Sequence, residues 1–243
     1  MKKVRKNGPT KDLSTSAWSF FTDCRDWMCK NTLSLAKSVN MSNIILDKEE
    51  FALLSDAEIF LVKKRLSEKL NLLLSDCIKN IEHCLTEHPG FLEEEVVMNR
   101  PKISKGENYL SFPWQILDYP RLFGREDIFA IRTLCWWGQS FSVTLHLSGK
   151  YADQFHGKLN HHLAFLAEND YFVCVNTNQW HHHFGTDNYL SAGELSGINQ
   201  SITSLYRRNH FIKIMKKIPL YDWMNLSEKS GKIYRELFTM ISS

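Results

Sequence analysis

The amino-acid sequence predicts an α+β protein whose antiparallel or mixed sheet is built on a central β-hairpin and carries helices largely on one face. Three features support this class: a hairpin pattern over residues 127–148, a long amphipathic helix over residues 56–85, and a helix and a further strand after the hairpin. Proteins of this class bury one apolar face of a sheet under segregated helices. We therefore expect the sheet to form around the hairpin.

Composition and charge set the broad class of the protein. The 243 residues are 43% hydrophobic and 23% charged, as in an ordinary globular chain, and the net charge of +3 is too small to indicate nucleic-acid or membrane binding. Neither a signal peptide nor a membrane span is recognisable. The six cysteines show no C-x-x-C spacing and are interpreted as reduced thiols. Together these features predict a cytoplasmic protein.

The chain is expected to have three parts. Residues 1–11 are basic and lack a hydrophobic period, so we predict a flexible arm. Residues 12–90 form a helical region, which begins with a short amphipathic helix within Ser14–Leu35. Residues 91–243 form the α+β region, and we expect it to pack with the helices as one globular domain.

The long helix has a start signal and a continuous apolar stripe. Ser55 and Glu58 have the spacing of a capping box, so the helix is predicted to begin at residue 56. Its apolar residues recur at intervals of three and four: Ile59, Val62, Leu66, Leu70, Leu73, Cys77, Ile81 and Cys84. A helix of this length spans about 45 Å. Packing within the chain is the favoured interpretation, and packing against a second copy, giving a homo-oligomer, is the other.

The hairpin pattern also predicts a register. Gly138-Gln139 stands between two strand-like runs, which indicates a two-residue type II′ turn that pairs Trp136 with Phe141. Side chains alternate between the two faces of a sheet. The predicted core face carries Ala130, Arg132, Leu134, Trp136, Phe141, Val143, Leu145 and Leu147. The opposite, mixed face carries Ile131, Thr133, Cys135, Trp137, Ser140, Ser142, Thr144 and His146.

Arg132 is the anomaly of this register, because a guanidinium among apolar side chains needs a partner. One interpretation pairs it with an internal carboxylate such as Asp118, or lets it extend past an edge strand. The other is that Arg132 binds an anionic ligand, for which its planar fork is suited.

The segment Asn176–Tyr189 follows a predicted strand and is rich in histidine. In an extended backbone His181 and His183 point the same way, and with Asp187 they would supply two imidazoles and one carboxylate to a divalent metal such as zinc or iron. The sequence contains no H-E-x-x-H motif and no helical histidine pair at the i, i+4 spacing. Metal binding is therefore the less favoured version of this site.

The leading functional hypothesis is a pocket for a small molecule between the mixed face of the hairpin and the histidine segment. The predicted lining consists of Thr133, Trp137, Thr144 and Trp180. If the protein is an enzyme, His146 or His183 would be the general acid or base, Asp187 would orient it, and Arg132 would bind an anion. The sequence specifies no reaction type.

The competing hypothesis is a non-catalytic interaction protein or homodimer that uses the long helix. The basic run at residues 207–217 is interleaved with apolar residues and is expected to be a solvated face, which argues against nucleic-acid binding. An interaction protein would expose part of the stripe from Ile59 to Cys84. A pocket protein would instead gather its histidines around a concave space.

Overall fold

The computed structural model describes residues 44–243. The arm predicted at residues 1–11 and the helix predicted within Ser14–Leu35 lie outside the described residues. The described residues fall into two units, one that ends at Ile59 and one of residues Phe60–Ser243.

The first helices begin at aspartates. Helix α1, Lys48–Ser55, is capped by Asp47, whose carboxylate accepts from the Glu49 and Glu50 amides. Helix α2, Ala57–Glu87, confirms the long helix predicted at residues 56–85. The predicted Ser55 cap is wrong, because Ser55 is the last residue of α1. The Asp56 carboxylate takes that place and accepts from the Glu58 amide at 2.9 Å.

Seven strands form one sheet in which every pairing is antiparallel. They are β1 Lys102–Tyr109, β2 Phe112–Phe123, β3 Ile128–Trp136, β4 Ser140–Ser148, β5 Tyr171–Cys174, β6 Tyr189–Ser191 and β7 Phe211–Ile218. Their spatial order is β1-β2-β3-β4-β7-β5-β6. The predicted α+β class with a central hairpin is therefore confirmed.

The remaining helices connect and cover these strands. They are α3 Glu94–Met98, α4 Lys150–His161, α5 Leu163–Glu168, α6 Ala192–Gly197, α7 Ile202–Asn209, a 3-10 helix at Leu220–Asn225, and α8 Leu226–Ser242. Buried side chains of α2, α4 and α8 share one apolar core with strands β3 and β4. Phe129 of β3, for example, meets the rings of Tyr151 and Phe155 of α4 at 5.5 and 6.4 Å. We call this side of the sheet the helix face.

The register of the hairpin differs from the prediction by one residue. Trp136 pairs with Ser140, and Phe141 pairs with Cys135. Gly138 has φ 70° inside a turn closed by a 3.0 Å bond from the Gln139 amide to the Trp136 carbonyl. The loop therefore has three residues, and the predicted two-residue type II′ turn is wrong.

The physical reason lies in the neighbouring strand. The Trp137 amide donates to the Pro113 carbonyl of β2 at 3.0 Å, outside the pairing with β4. Because β3 is buried along both faces, its own pattern does not select a register. The observed register puts Phe129 and Ile131 on the helix face and moves Arg132 to the opposite face, opposite Thr144.

Candidate functional site

The opposite face of the sheet collects polar side chains from neighbouring strands. Arg132 of β3 lies opposite Thr144 of β4, and His146 of β4 lies between Ala130 and Lys213 of β7. His146 and Lys213 are fully buried. We call this side the loop face, because residues 175–188, which connect β5 to β6, lie over it.

Hydrogen bonds hold the connection to the loop face. Lys213 Nζ donates to the His181 carbonyl. His146 Nε2 lies 2.9 Å from Gln179 Oε1, an arrangement that assigns the imidazole proton to Nε2. The Tyr109 hydroxyl of β1 accepts from the His182 amide at 2.6 Å. The loop is therefore fixed by side chains from three separate strands.

A cavity of about 230 Å³ lies on this face. It is lined by Tyr109, Trp114, Ile116, Arg132, Leu134, Trp180 and His182. The walls are mainly aromatic and aliphatic, and Arg132 contributes the one guanidinium. An apolar wall with a small number of placed polar groups is the usual composition of a small-molecule site.

The residues that the structure describes satisfy only part of the hydrogen-bonding capacity of Arg132. Its Nε donates to Asp118 Oδ1 at 2.7 Å and its Nη2 to Asp118 Oδ2 at 3.5 Å. Its guanidinium carbon also lies 5.3 Å from the ring centroid of Phe123. Nη1 is buried and has no hydrogen-bond partner among the residues that the structure describes. The predicted Asp118 partner is thus observed, and one edge of the guanidinium remains unused.

Burial controls the charge state of the other polar groups. It lowers the pKa of Lys213 to about 8, and the Arg132 charge acts in the same direction. It also lowers the pKa values of His146 and His182 well below the ordinary value, with further lowering by Lys213 and Arg132. Both imidazoles are therefore neutral at physiological pH.

His183 and Asp187 meet at the exposed side of the loop. His183 Nε2 lies 3.1 Å from Asp187 Oδ2, and the Asp187 side chain is 70% exposed. The hydrogen bond from His183 lowers the pKa of Asp187. The rings of His181 and His183 are 5.4 Å apart, so the two histidines predicted to share a side are close together.

The metal hypothesis for His181, His183 and Asp187 stays a prediction. Within residues 44–243, no group of three or more His, Cys, Asp or Glu side chains is placed to hold a metal ion. His181 Nε2 lies instead 3.1 Å from Asn178 Nδ2. Elemental analysis of tag-free protein would test for zinc or iron.

The shifted register moves two predicted lining residues away from the cavity. Thr133 lies on the helix face, where its hydroxyl is 2.5 Å from that of Tyr234. Trp137 lines a separate cavity of about 150 Å³ beside Trp223. Thr144 is buried on the loop face but does not line the cavity, whereas Trp180 does. Thr133 and Trp137 therefore do not line this cavity, and the ligand-binding role predicted for them stays a prediction.

The position of Cys135 decides whether its thiol could act as a nucleophile. It lies on the helix face, and burial raises its pKa to about 12. The four cysteines within residues 44–243 are all buried and free. A thiolate nucleophile at Cys135 is not supported.

Sequence reasoning missed Tyr109 and Trp114 in the cavity and Lys213 beneath the loop. Lys213 belongs to the basic run that was expected to be a solvated face, yet it is fully buried. A signal was present in residues 211–218, where Ile212 and Ile214 alternate with Lys213 as in a strand. Alternation of this kind places the lysine on the face opposite the isoleucines.

Over the described range, no helix is both long and apolar enough to cross a membrane. Comparison of the chain with known protein families, with curated proteins and with solved structures gives no match.

Proposed function

We propose that the protein binds a small organic molecule in the cavity of the loop face. The observation that carries the proposal is the combination of aromatic walls with a buried guanidinium edge that lacks a partner among residues 44–243. Polar groups buried without partners are costly, so a ligand that satisfies one gains affinity. The volume of about 230 Å³ is below the range of drug-sized pockets and favours a small metabolite.

The construction of the cavity supports a binding role. Strands β1, β2 and β3 supply five of the seven lining residues, so most of the wall belongs to the sheet. The loop supplies Trp180 and His182. Trp180 is 49% exposed, which places it at the mouth, where a ligand would enter. Sites built on strands hold their geometry better than sites built on loops alone.

Binding is proposed ahead of catalysis because the predicted acid-base residues are not in the cavity wall. The His146 ring lies 5.5 Å from the Trp180 ring and is hydrogen-bonded to Gln179. His183 is bonded to Asp187 and to the Tyr109 hydroxyl. Acid-base roles for His146 and His183 remain predictions.

Filling the cavity should strongly weaken ligand binding. Leu134 is 6% exposed and lines the wall, so Leu134→Phe adds volume where a ligand would sit. In ligand-observed NMR with a fragment library, we expect fragments that bind the natural protein to bind Leu134→Phe at least about tenfold more weakly. Leu72→Phe is the matched control, because Leu72 is 73% exposed. Equal fragment binding by Leu134→Phe, once its fold is verified by melting, would contradict the proposal.

A second candidate function is association through the beginning of α2. The predicted stripe is buried only from Leu70 onward, and Leu74 takes the buried place expected of Leu73. Ile59, Val62 and Leu66, the stripe residues at the beginning of the helix, remain 41, 37 and 40% exposed. A contiguous exposed apolar surface commonly marks a protein interface. This surface supports the homo-oligomer hypothesis.

Sedimentation tests the second candidate. If α2 mediates self-association, Leu66→Glu should convert a dimer into a monomer that stays folded but loses the stabilisation that association provides. Leu74→Glu is the contrasting variant, because Leu74 is fully buried and a carboxylate there should unfold the chain. A natural protein that sediments as a monomer at micromolar concentration would rule out the homodimer.

A further inference from the structure

The inference concerns the chemical class of the ligand and rests on the proposed function. A guanidinium presents two edges to acceptors, one formed by Nε and Nη2 and the other by Nη1 and Nη2. Asp118 occupies the first edge. Arg132 is 9% exposed, and the second edge contains the buried Nη1 that lacks a partner within residues 44–243. Arg132 lines the cavity, although Nη1 itself is closed off in the observed conformation. We infer that a small adjustment of the Arg132 side chain opens this second edge, which then binds the carboxylate of a small aromatic acid inside the cavity.

The charges around the cavity favour a ligand that carries one negative charge. Asp118 compensates Arg132, and Lys213 adds a second positive charge that interacts unfavourably with Arg132. The nearby imidazoles of His146 and His182 are neutral. The Asp187 carboxylate is 70% exposed and is bonded to His183. A monocarboxylate therefore balances the buried charges, whereas a phosphate dianion would leave an uncompensated one.

The cavity walls determine the shape and polarity of the rest of the ligand. Tyr109, Trp114 and Trp180 offer aromatic surfaces, and Ile116 and Leu134 offer aliphatic ones. A planar apolar body buries its surface against such walls, and aromatic pairs add to that burial. A flexible polyhydroxylated acid would lose hydrogen bonds to water without replacement here. The ligand is accordingly an aromatic monocarboxylate of about the size of benzoate or indole carboxylate.

The test compares acids with neutral partners of the same shape, using the full chain. Isothermal titration with benzoate and indole-3-carboxylate, each paired with its primary amide, should give at least about tenfold tighter binding of the acid. Phenyl phosphate serves as the dianion and should bind more weakly than benzoate.

Variants then assign the effect to Arg132. Arg132→Met combined with Asp118→Leu removes the whole ion pair and leaves neither charge buried alone. We expect it to lose the preference for the acid, so that acid and amide bind equally. Arg121→Met is the control, because the Arg121 side chain donates to the Arg100 carbonyl instead. It should keep the preference of the natural protein.

The outcomes separate this inference from the proposed function. Amides that bind as tightly as the acids, with an affinity that Leu134→Phe strongly weakens, would overturn the carboxylate and leave the pocket in place. Retained acid preference in the double variant would also overturn the role of Arg132. Failure of every acid, amide and fragment to bind would overturn both.

Discussion

Replacing Asp118 with alanine is expected to lower the free energy of unfolding by about 3–5 kcal/mol. Asp118 is 5% exposed and Arg132 is 9% exposed, and the two are joined by a 2.7 Å hydrogen bond. The substitution leaves the guanidinium buried without its counter-ion, which costs more than the pair itself contributes. Urea denaturation followed by tryptophan fluorescence and by circular dichroism gives the change directly.

The double variant Asp118→Leu with Arg132→Met is the control for this prediction. Replacing a whole buried pair by apolar side chains of similar volume is often neutral or stabilising by about 1–4 kcal/mol. The double variant should therefore be clearly more stable than Asp118→Ala alone. If Asp118→Ala is as stable as the natural protein, the guanidinium reaches water and the buried pair is not a determinant of stability.

The sequence located the hairpin and the long helix because both signals are local. It did not select the hairpin register, because Phe129 and Ile131 on one face are no more apolar than Leu134 and Trp136 on the other. The interaction that distinguishes the two registers is the hydrogen bond from the Trp137 amide to the Pro113 carbonyl of β2. It joins the hairpin to another strand, so the hairpin sequence alone gives no sign of it. The local hydrophobic pattern therefore fixed where the strands lie but not which residues pair.

In the candidate site, too, the sequence predicted local features but not the contacts between strands that are distant in the chain. The histidine segment was predicted from consecutive residues, and Asp118 was predicted as the partner of Arg132 in one of the interpretations that the sequence left open. Tyr109 and Lys213 were not, because their place depends on strand order. Strand β1 reaches the loop face from one edge, and β7 inserts between β4 and β5 from much later in the chain. Periodicity places a residue on a face of its own strand and gives no information about which strands become neighbours.

Lys213→Met is expected to raise the free energy of unfolding at neutral pH. The pKa of Lys213 is lowered from 10.5 to about 8 in the folded protein, so below pH 8 the folded state must hold a charge that burial disfavours. This lowering of the pKa corresponds to a loss of about 3 kcal/mol in the free energy of unfolding, which the variant regains. The variant also loses the hydrogen bond to the His181 carbonyl, which costs it about 1 kcal/mol. Methionine fills much of the lysine volume without the charge.

The pH dependence gives this prediction its sharpest test. Between pH 8 and 10.5 the unfolded chain holds the Lys213 proton and the folded chain releases it, so the natural protein gains stability relative to the variant as the pH rises. Tyr189 and Cys174, which lie near Lys213 with pKa values raised by burial, are present in both proteins and largely cancel in the comparison. Urea denaturation at pH 7, 8, 9 and 10 should show the advantage of Lys213→Met shrinking above pH 8, whereas Lys217→Met, at an exposed position of the same strand, should show no such trend. An advantage that stays constant or grows with pH would mean that Lys213 is not held in a lowered-pKa environment beneath the loop.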